Sequence, residues 1–219
     1  MPAKRGWIYF ISPTRPSSIS PPPAVTLDLE ILRKITGPSI SQQVDESASA
    51  IYVHRICRYF IQAFDFIPLF VDERGKKGKS EDYKEFHFRK AEVPSILCLI
   101  NSSLFYWFWR LHGDGFHCGY GDVYLMPFRT LGSREASALV DLNKRLMSSL
   151  KKTSAEKTIS TKRGEIRYQE FYPVQSKPIL DEIDRVLGCH YRFTEEEVDF
   201  IINYDIKYRI GAETDVDDE

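Results

Sequence analysis

The chain has 219 residues, 42% hydrophobic and 28% charged, with a formal net charge of -1. Such a composition suits a soluble fold with one cored domain and an appendage. It excludes a globally basic nucleic-acid binder, so any basic surface has to be local. The near-zero total conceals an uneven spread: Asp141 to Lys177 holds nine Lys/Arg against four Asp/Glu, and Ile179 to the end holds four against thirteen. Four cysteines, Cys57, Cys98, Cys118 and Cys189, lie scattered without a C-x-x-C pair. That spacing argues against zinc and against a disulfide framework, and points to reduced thiols in a cytoplasmic protein. The apolar run Gly6–Ile11 is too short for a signal peptide and meets Pro13. Ile96–Trp109 is too short to span a bilayer, so no membrane partner is expected.

Along the chain, residues 12–24 are rich in Pro and Ser and read as a linker, taken as 1–26. Leu27, Ile31, Leu32 and Ile35 predict a short amphipathic helix stopped by Gly37-Pro38. Ile51–Phe64 reads as two strands with a bend near Cys57. Asp72–Ser80 reads as a polar, basic loop. Tyr83–Arg89 alternates as a strand with Phe86 and Phe88 on one face. Val93 to Leu111 predicts one long central helix, apolar nearly all round. Glycines from Gly113 to Gly121 continue a loop until Asp122–Pro127 resumes extended structure. Arg134–Lys152 predicts a helix with Leu139, Leu142, Leu146 and Leu150 in phase. Residues 153–165 read as a polar, mobile arm. Pro178–Leu187, ended by Gly188, and Thr194–Tyr208 read as two closing helices. Thr194 and Glu197 form the Thr-x-x-Glu pattern of a capping box. Asp215–Glu219 reads as an acidic tail, taken as 212–219.

Candidates for catalysis are thin. Pro21–Pro23 is the only Pro-Pro run and lacks the aromatic platform that holds a flipped adenine. The glycines of 113–121 follow a helix and match neither nucleotide-binding spacing. Glu81, Asp82 and Lys84 have the letters of a magnesium nuclease site, but short charged runs of this kind are usually solvated loops. His112, His117 and Cys118 lack two further metal ligands.

Candidates for binding are more numerous. Arg55 and Arg58 sit among tyrosines, where a planar guanidinium suits phosphate or a guanine edge; outward strand charges are the plain equivalent. Lys76, Lys77 and Lys79 could follow a phosphate backbone or form a solvated hairpin. Lys144, Arg145, Lys151, Lys152, Lys162, Arg163 and Arg167 make a second basic region, equally readable as a solvated helix face.

Four segments together resemble one family: Tyr52–Phe64; Leu99–Trp109, with its Asn-Ser-Ser-Leu-Phe-Tyr-Trp-Phe-Trp run; His117 followed by Asp122-Val123 and Met126–Phe128; and Glu197–Ile210. Their order resembles the C-terminal region of large adenine-specific DNA methyltransferases of type IIG restriction–modification systems, over roughly residues 27–211. The resemblance implies an α+β fold: a mixed-sheet, target-recognition-like core over 27–132 with a central apolar helix, then C-terminal helices over 133–211. It implies double-stranded DNA as partner, and a methyltransferase catalytic domain or subunit that carries S-adenosylmethionine. No cofactor segment and no Asn-Pro-Pro-Tyr-type loop is found, so no cofactor is expected on this chain and no catalytic residue is assigned. The implied DNA-facing residues are Arg55, Arg58, Lys76, Lys77, Lys79, Lys84, Arg110 and His117. Competing readings are a chain active by itself as methyltransferase or nuclease, and a remnant that binds no DNA.

Overall fold

The computed structural model describes residues 23–57 and 59–211. The linker before Pro23, the Pro21-Pro22 pair, Arg58 and the acidic tail lie outside the described residues. Helix α1 spans Pro23–Lys34, so it starts inside the expected linker. Proline suits a first helical turn because its fixed φ is already helical and its missing N–H is not needed there. Ile31 and Ile35 of the predicted stripe are buried.

Strands β1 (Ala50–His54), β2 (Ala63–Phe64) and β4 (Tyr83–His87) form one sheet in the order β2-β1-β4. Strands β3 (Phe70–Val71), β5 (Ala155–Thr161) and β6 (Gly164–Glu170) form another in the order β3-β6-β5. All pairings between these strands are antiparallel, so the architecture is α+β with two small antiparallel sheets in place of a mixed one. The bend expected at Cys57 is present. Its N–H donates to Phe116 O at 2.9 Å, and the Cys118 N–H donates to Arg55 O at 2.8 Å. Phe86 and Phe88 point into the core as their alternation required.

The helix expected over Val93–Leu111 is two helices, α2 (Val93–Asn101) and α3 (Ser103–His112). Apolar periodicity runs through the break, so periodicity alone cannot reveal it. The break is made by polar chemistry. Ser102 is extended, and its Oγ accepts from the Phe105 N–H at 3.0 Å, capping α3. Asn101 turns its amide sideways to the edge of β2, accepting from Ala63 N–H at 3.1 Å and donating to Ala63 O at 2.9 Å. The carboxylate of Asp184 accepts from the N–H groups of Ser103 and Leu104 at 3.1 and 3.0 Å. A negative charge is favoured there by the partial positive charge of a helix N-terminus. Arg209 donates to Ser103 Oγ and to Tyr59 O, both at 3.0 Å, with its guanidinium over Phe60 and Tyr106.

Other expectations are corrected as well. Tyr120–Leu125 is a helix, α4, because Asp122 Oδ2 accepts from the Gly119 N–H at 2.7 Å and starts a turn. The polar arm of 153–165 is the β5–β6 hairpin with the end of α5 (Ser133–Thr153) before it. Strand β5 buries neither face, while β6 alternates half-buried Ile166 and Tyr168 with exposed Glu165 and Arg167. Helix α6 (Lys177–Tyr191) runs through Gly188 and ends at Arg192, the left-handed residue that lets the chain turn away. Gly188 serves the approach of the next helix instead: a Cβ there would lie 2.5 Å from Val198 Cγ2.

The capping box at Thr194 and Glu197 is formed and starts α7 (Glu195–Ile202). Asp205, at φ 54, separates it from α8 (Ile206–Gly211), so the expected single helix is two. One hydrophobic core runs from Ile31 to Ile201 and includes Leu139, Leu142, Leu146 and Leu150 of α5. The core therefore crosses the boundary expected at 132–133. No described helix is long and apolar enough to cross a membrane. Cys57, Cys98 and Cys118 are buried, Cys189 is exposed, and all four are unpaired.

Candidate nucleic-acid interface

The DNA-facing residues expected from sequence fall in two places. The first is the corner where the bend after β1 meets the loop after α3. Arg55 sits there, but its Nε is held by Asp82 Oδ1 at 3.1 Å. His117 is bridged to Ile56 in the backbone, and its Nδ1 lies 2.8 Å from Asp114 Oδ2. The N–H groups of His117 and Phe116, with the His117 ring, hold the Asp114 carboxyl at about 2. Arg110, at the end of α3, has Nε 3.9 Å from Asp205 Oδ2. Beside this corner, Lys84 on β4 has its ammonium 5.7 Å from the centroid of the Tyr120 ring. Lys79 is tied to Glu85 at 2.7 Å and to Tyr83 O at 3.3 Å. Three of the expected cations here, Arg55, Lys79 and Arg110, thus face a carboxylate of the same chain. Exposed pairs of this kind carry little energy, but they lower the local positive potential.

The second place is the end of the β3-β6-β5 sheet. Register pairs Thr161 with Gly164, which leaves Lys162 and Arg163 as a two-residue turn at the tip of the hairpin. Thr161 Oγ1 lies 2.9 Å from Gly164 O and 3.2 Å from Glu73 Oε1. Gly164 is at φ 145, and a Cβ on it would fall 2.5 Å from Glu73 O, so the tip packs directly on the 72–77 turn. That turn is held by Asp72 Oδ1, which accepts from the N–H of Arg74 at 2.9 Å and of Lys76 at 2.8 Å.

Arg74, Lys76, Lys77, Lys162 and Arg163 are therefore brought to one end of one sheet from segments about ninety residues apart in sequence. Among the described residues none of the five forms an ion pair. Asp72, Glu73 and Glu165 are the nearby carboxylates in sequence, so the excess is modest and positive. Arg74 was not singled out from the sequence; its place two residues after Asp72, in an Asx turn, was the available signal.

The remaining basic residues divide. Arg145 is held by Glu182 at 2.6 and 2.7 Å, Lys144 lies 3.4 Å from Asp141, and Arg167 pairs with Glu156 at 3.0 Å. Lys151 lies over the Phe66 ring at 4.1 Å, and Lys152 is exposed. Glu81, Asp82 and Lys84 form no ligand set: among the described residues no three His, Cys, Asp or Glu side chains converge as a metal site would need. His112 Nδ1 donates to Phe108 O at 2.8 Å and its ring stacks on the Phe108 ring, apart from any metal geometry.

Two open depressions mark the surface. One, of about 450 Å³, is lined by Leu27, Phe200 and Tyr204 with Glu196, Asp199, Asn203 and Asp205. The other, of about 340 Å³, is lined by Lys79, Glu81, Tyr83, Lys84, Glu85 and Tyr120. No protein-family model matches the chain, and no curated protein or solved structure shows significant similarity to it.

Proposed function

We propose that the chain is a duplex-DNA recognition module whose reading element is the β5–β6 ribbon. The supporting observation is a two-stranded ribbon, exposed on both faces of β5, that ends in Lys162-Arg163 beside Arg74, Lys76 and Lys77. A two-stranded antiparallel ribbon fits the major groove of B-DNA, which is about 12 Å wide. The tip cations would contact phosphates and set the register, and the polar side chains of β5, Thr158 and Ser160 among them, would meet base edges.

The partner follows from the four resembling segments alone: a separate adenine-specific methyltransferase domain that holds S-adenosylmethionine and transfers the methyl group. On this reading the chain itself transfers none.

The experiment is fluorescence anisotropy of a blunt 30-base-pair duplex with the full chain over a range of salt. Affinity is expected to fall by about 0.9 log units per log unit of salt for each phosphate engaged. Changing Lys76, Lys77, Lys162 and Arg163 together to Ala should flatten that slope. No duplex binding, or a slope unchanged in the variant, overturns the ribbon as the reading element. Methyl incorporation from labelled S-adenosylmethionine by the purified chain overturns the division of labour.

A further inference from the structure

The depression of about 340 Å³ lies along β4, the outer strand of its sheet, and has a composition unlike the ribbon tip. It is an open depression rather than an enclosed cavity, so a ligand there is covered on one side only. Its charged lining is balanced, Lys79 and Lys84 against Glu81 and Glu85. A bare anion therefore gains little there. What the walls do offer is one flat ring, hydrogen-bond donors and hydrogen-bond acceptors together.

The ring is Tyr120, which is 45% exposed although it is aromatic and on a helix packed against the core. It is held in place from behind. Phe86, fully buried, lies 4.7 Å away centroid to centroid, and Tyr124 lies 6.2 Å away at 30°. Helix α4, which carries it, is fixed by the Asp122 cap. The phenol is thus a braced platform whose outward side is met only by a lysine on a flexible stem, which an arriving ring displaces. Lys84 lies on it at 5.7 Å, and Glu81 is exposed at the rim with no ion pair among the described residues. Lys76 and Lys77 precede Lys79 by three and two residues, so cations lead from the ribbon end to the depression.

A planar solute with a π-face and both donors and acceptors on its edge fits this set, and a nucleobase has all three properties. We propose that the depression holds one unpaired nucleobase of a DNA strand. The ring stacks on Tyr120, the Glu81 carboxylate accepts from an exocyclic amine, Lys84 donates to a ring nitrogen or carbonyl, and the strand's phosphates run past Lys76 and Lys77. Stacking on an aromatic side chain is a sequence-tolerant source of affinity for single strands. This goes beyond duplex recognition: it shares Lys76 and Lys77 with the ribbon end but rests on Tyr120, Glu81 and Lys84.

The test uses the full chain and a single-stranded octanucleotide carrying 2-aminopurine, whose fluorescence is quenched on stacking. A saturable quench is expected. Tyr120→Ala should weaken it by about fivefold or more, in line with alanine substitution at other stacking platforms. Tyr120→Phe, which keeps the ring, should stay within about twofold of the parent. Tyr120→Leu keeps apolar bulk on α4 and should behave as the alanine variant does, so the test survives if Tyr120→Ala does not fold. Absence of a saturable quench, or equal affinity in Tyr120→Leu and the parent, overturns the proposal. Lys162→Ala with Arg163→Ala should lower duplex affinity and leave the quench in place. Failure of duplex binding alone counts against the ribbon, and failure of the quench alone counts against the Tyr120 site.

Discussion

The junction of α2 with α3 and the β5–β6 ribbon are both rich in polar groups, and they use them in opposite ways. At the junction Asn101, Ser102, Ser103, Asp184 and Arg209 are all buried, and their hydrogen bonds go to one another or to backbone. At the ribbon Lys162, Arg163 and most of β5 are exposed, and the tip cations point at nothing in the chain that carries opposite charge in an ion pair among the described residues. A buried polar group costs free energy unless it is paired, so the junction tolerates little change. A solvated cation costs almost nothing to lose, so the ribbon is free to vary. Polar residues that look like a signature can thus be a signature of packing, while the residues free to meet a ligand look ordinary.

That contrast is broken most directly at Asp184. Its carboxylate is the acceptor for two N–H groups of α3 and lies in the field of Arg209. Asp184→Ala is expected to cost about 3–5 kcal/mol, as removal of one buried charged partner does, read from urea unfolding. The same group has a pH signature. Burial pushes its carboxyl from 3.8 up to about 6, against the pull of the Leu104 and Ser103 hydrogen bonds and of Arg209. The folded chain then binds this proton more tightly than the unfolded chain. The stability contributed by the group is complete below about pH 4 and declines as pH rises to about 6. Asp114 and Asp45, whose carboxyls are lowered in the fold, act with the opposite sign. The difference in urea midpoint between the parent and Asp184→Asn, measured at about pH 4 and about pH 7, isolates the one group. The parent's advantage should be larger at the acid end, and an advantage that grows with pH would show that burial does not govern Asp184.

A smaller effect is expected one residue into the break. Ser102→Ala removes the side-chain cap of α3 and should cost about 1 kcal/mol, seen as a lowered thermal midpoint. At the other end of the scale, Lys162→Ala with Arg163→Ala should change unfolding free energy by no more than about 0.5 kcal/mol. A large loss of stability in that pair would mean that the Lys162 and Arg163 side chains themselves are held by contacts and erase the contrast with the junction.

The legible parts of the fold were those where one signal acts alone. Ile31 of α1 with Ile35 just after it, the alternation of Phe86 and Phe88, the four leucines of α5 and the Thr194–Glu197 box all appear as the pattern required. The illegible parts had two signals in competition. Apolar periodicity hid the break at Ser102, since a cap depends on partners such as Asp184 that are 80 residues away. Gly188 looks like a helix stop until Val198 is placed against it. Strand β5 of the 155–170 hairpin buries neither face and so shows no period, and the alternation of β6 from Glu165 to Tyr168 is too short to reveal the hairpin by itself. Among the candidate residues, Lys76, Lys77, Lys162 and Arg163 could be named one by one, but their convergence depends on the packing of Gly164 against Glu73. Arg55 and Arg110 were named as DNA-facing, and the carboxylates that meet them lie 27 and 95 residues further on. The segments that carried the family resemblance supply Asn101, Ser102, Ser103 and Arg209, which are buried and hold the core together.

Strand β6 is the middle of its sheet, yet β3 pairs with it only at Tyr168 and Arg167. The hairpin partners are neighbours in the chain and can zip together within microseconds. Their third strand comes from residues 70–71, and closing that loop must wait for the intervening helices to assemble. On this ordering the ribbon forms as an isolated hairpin, marginal by itself, before it is anchored mid-strand at Tyr168 and Arg167 and at its tip against Glu73.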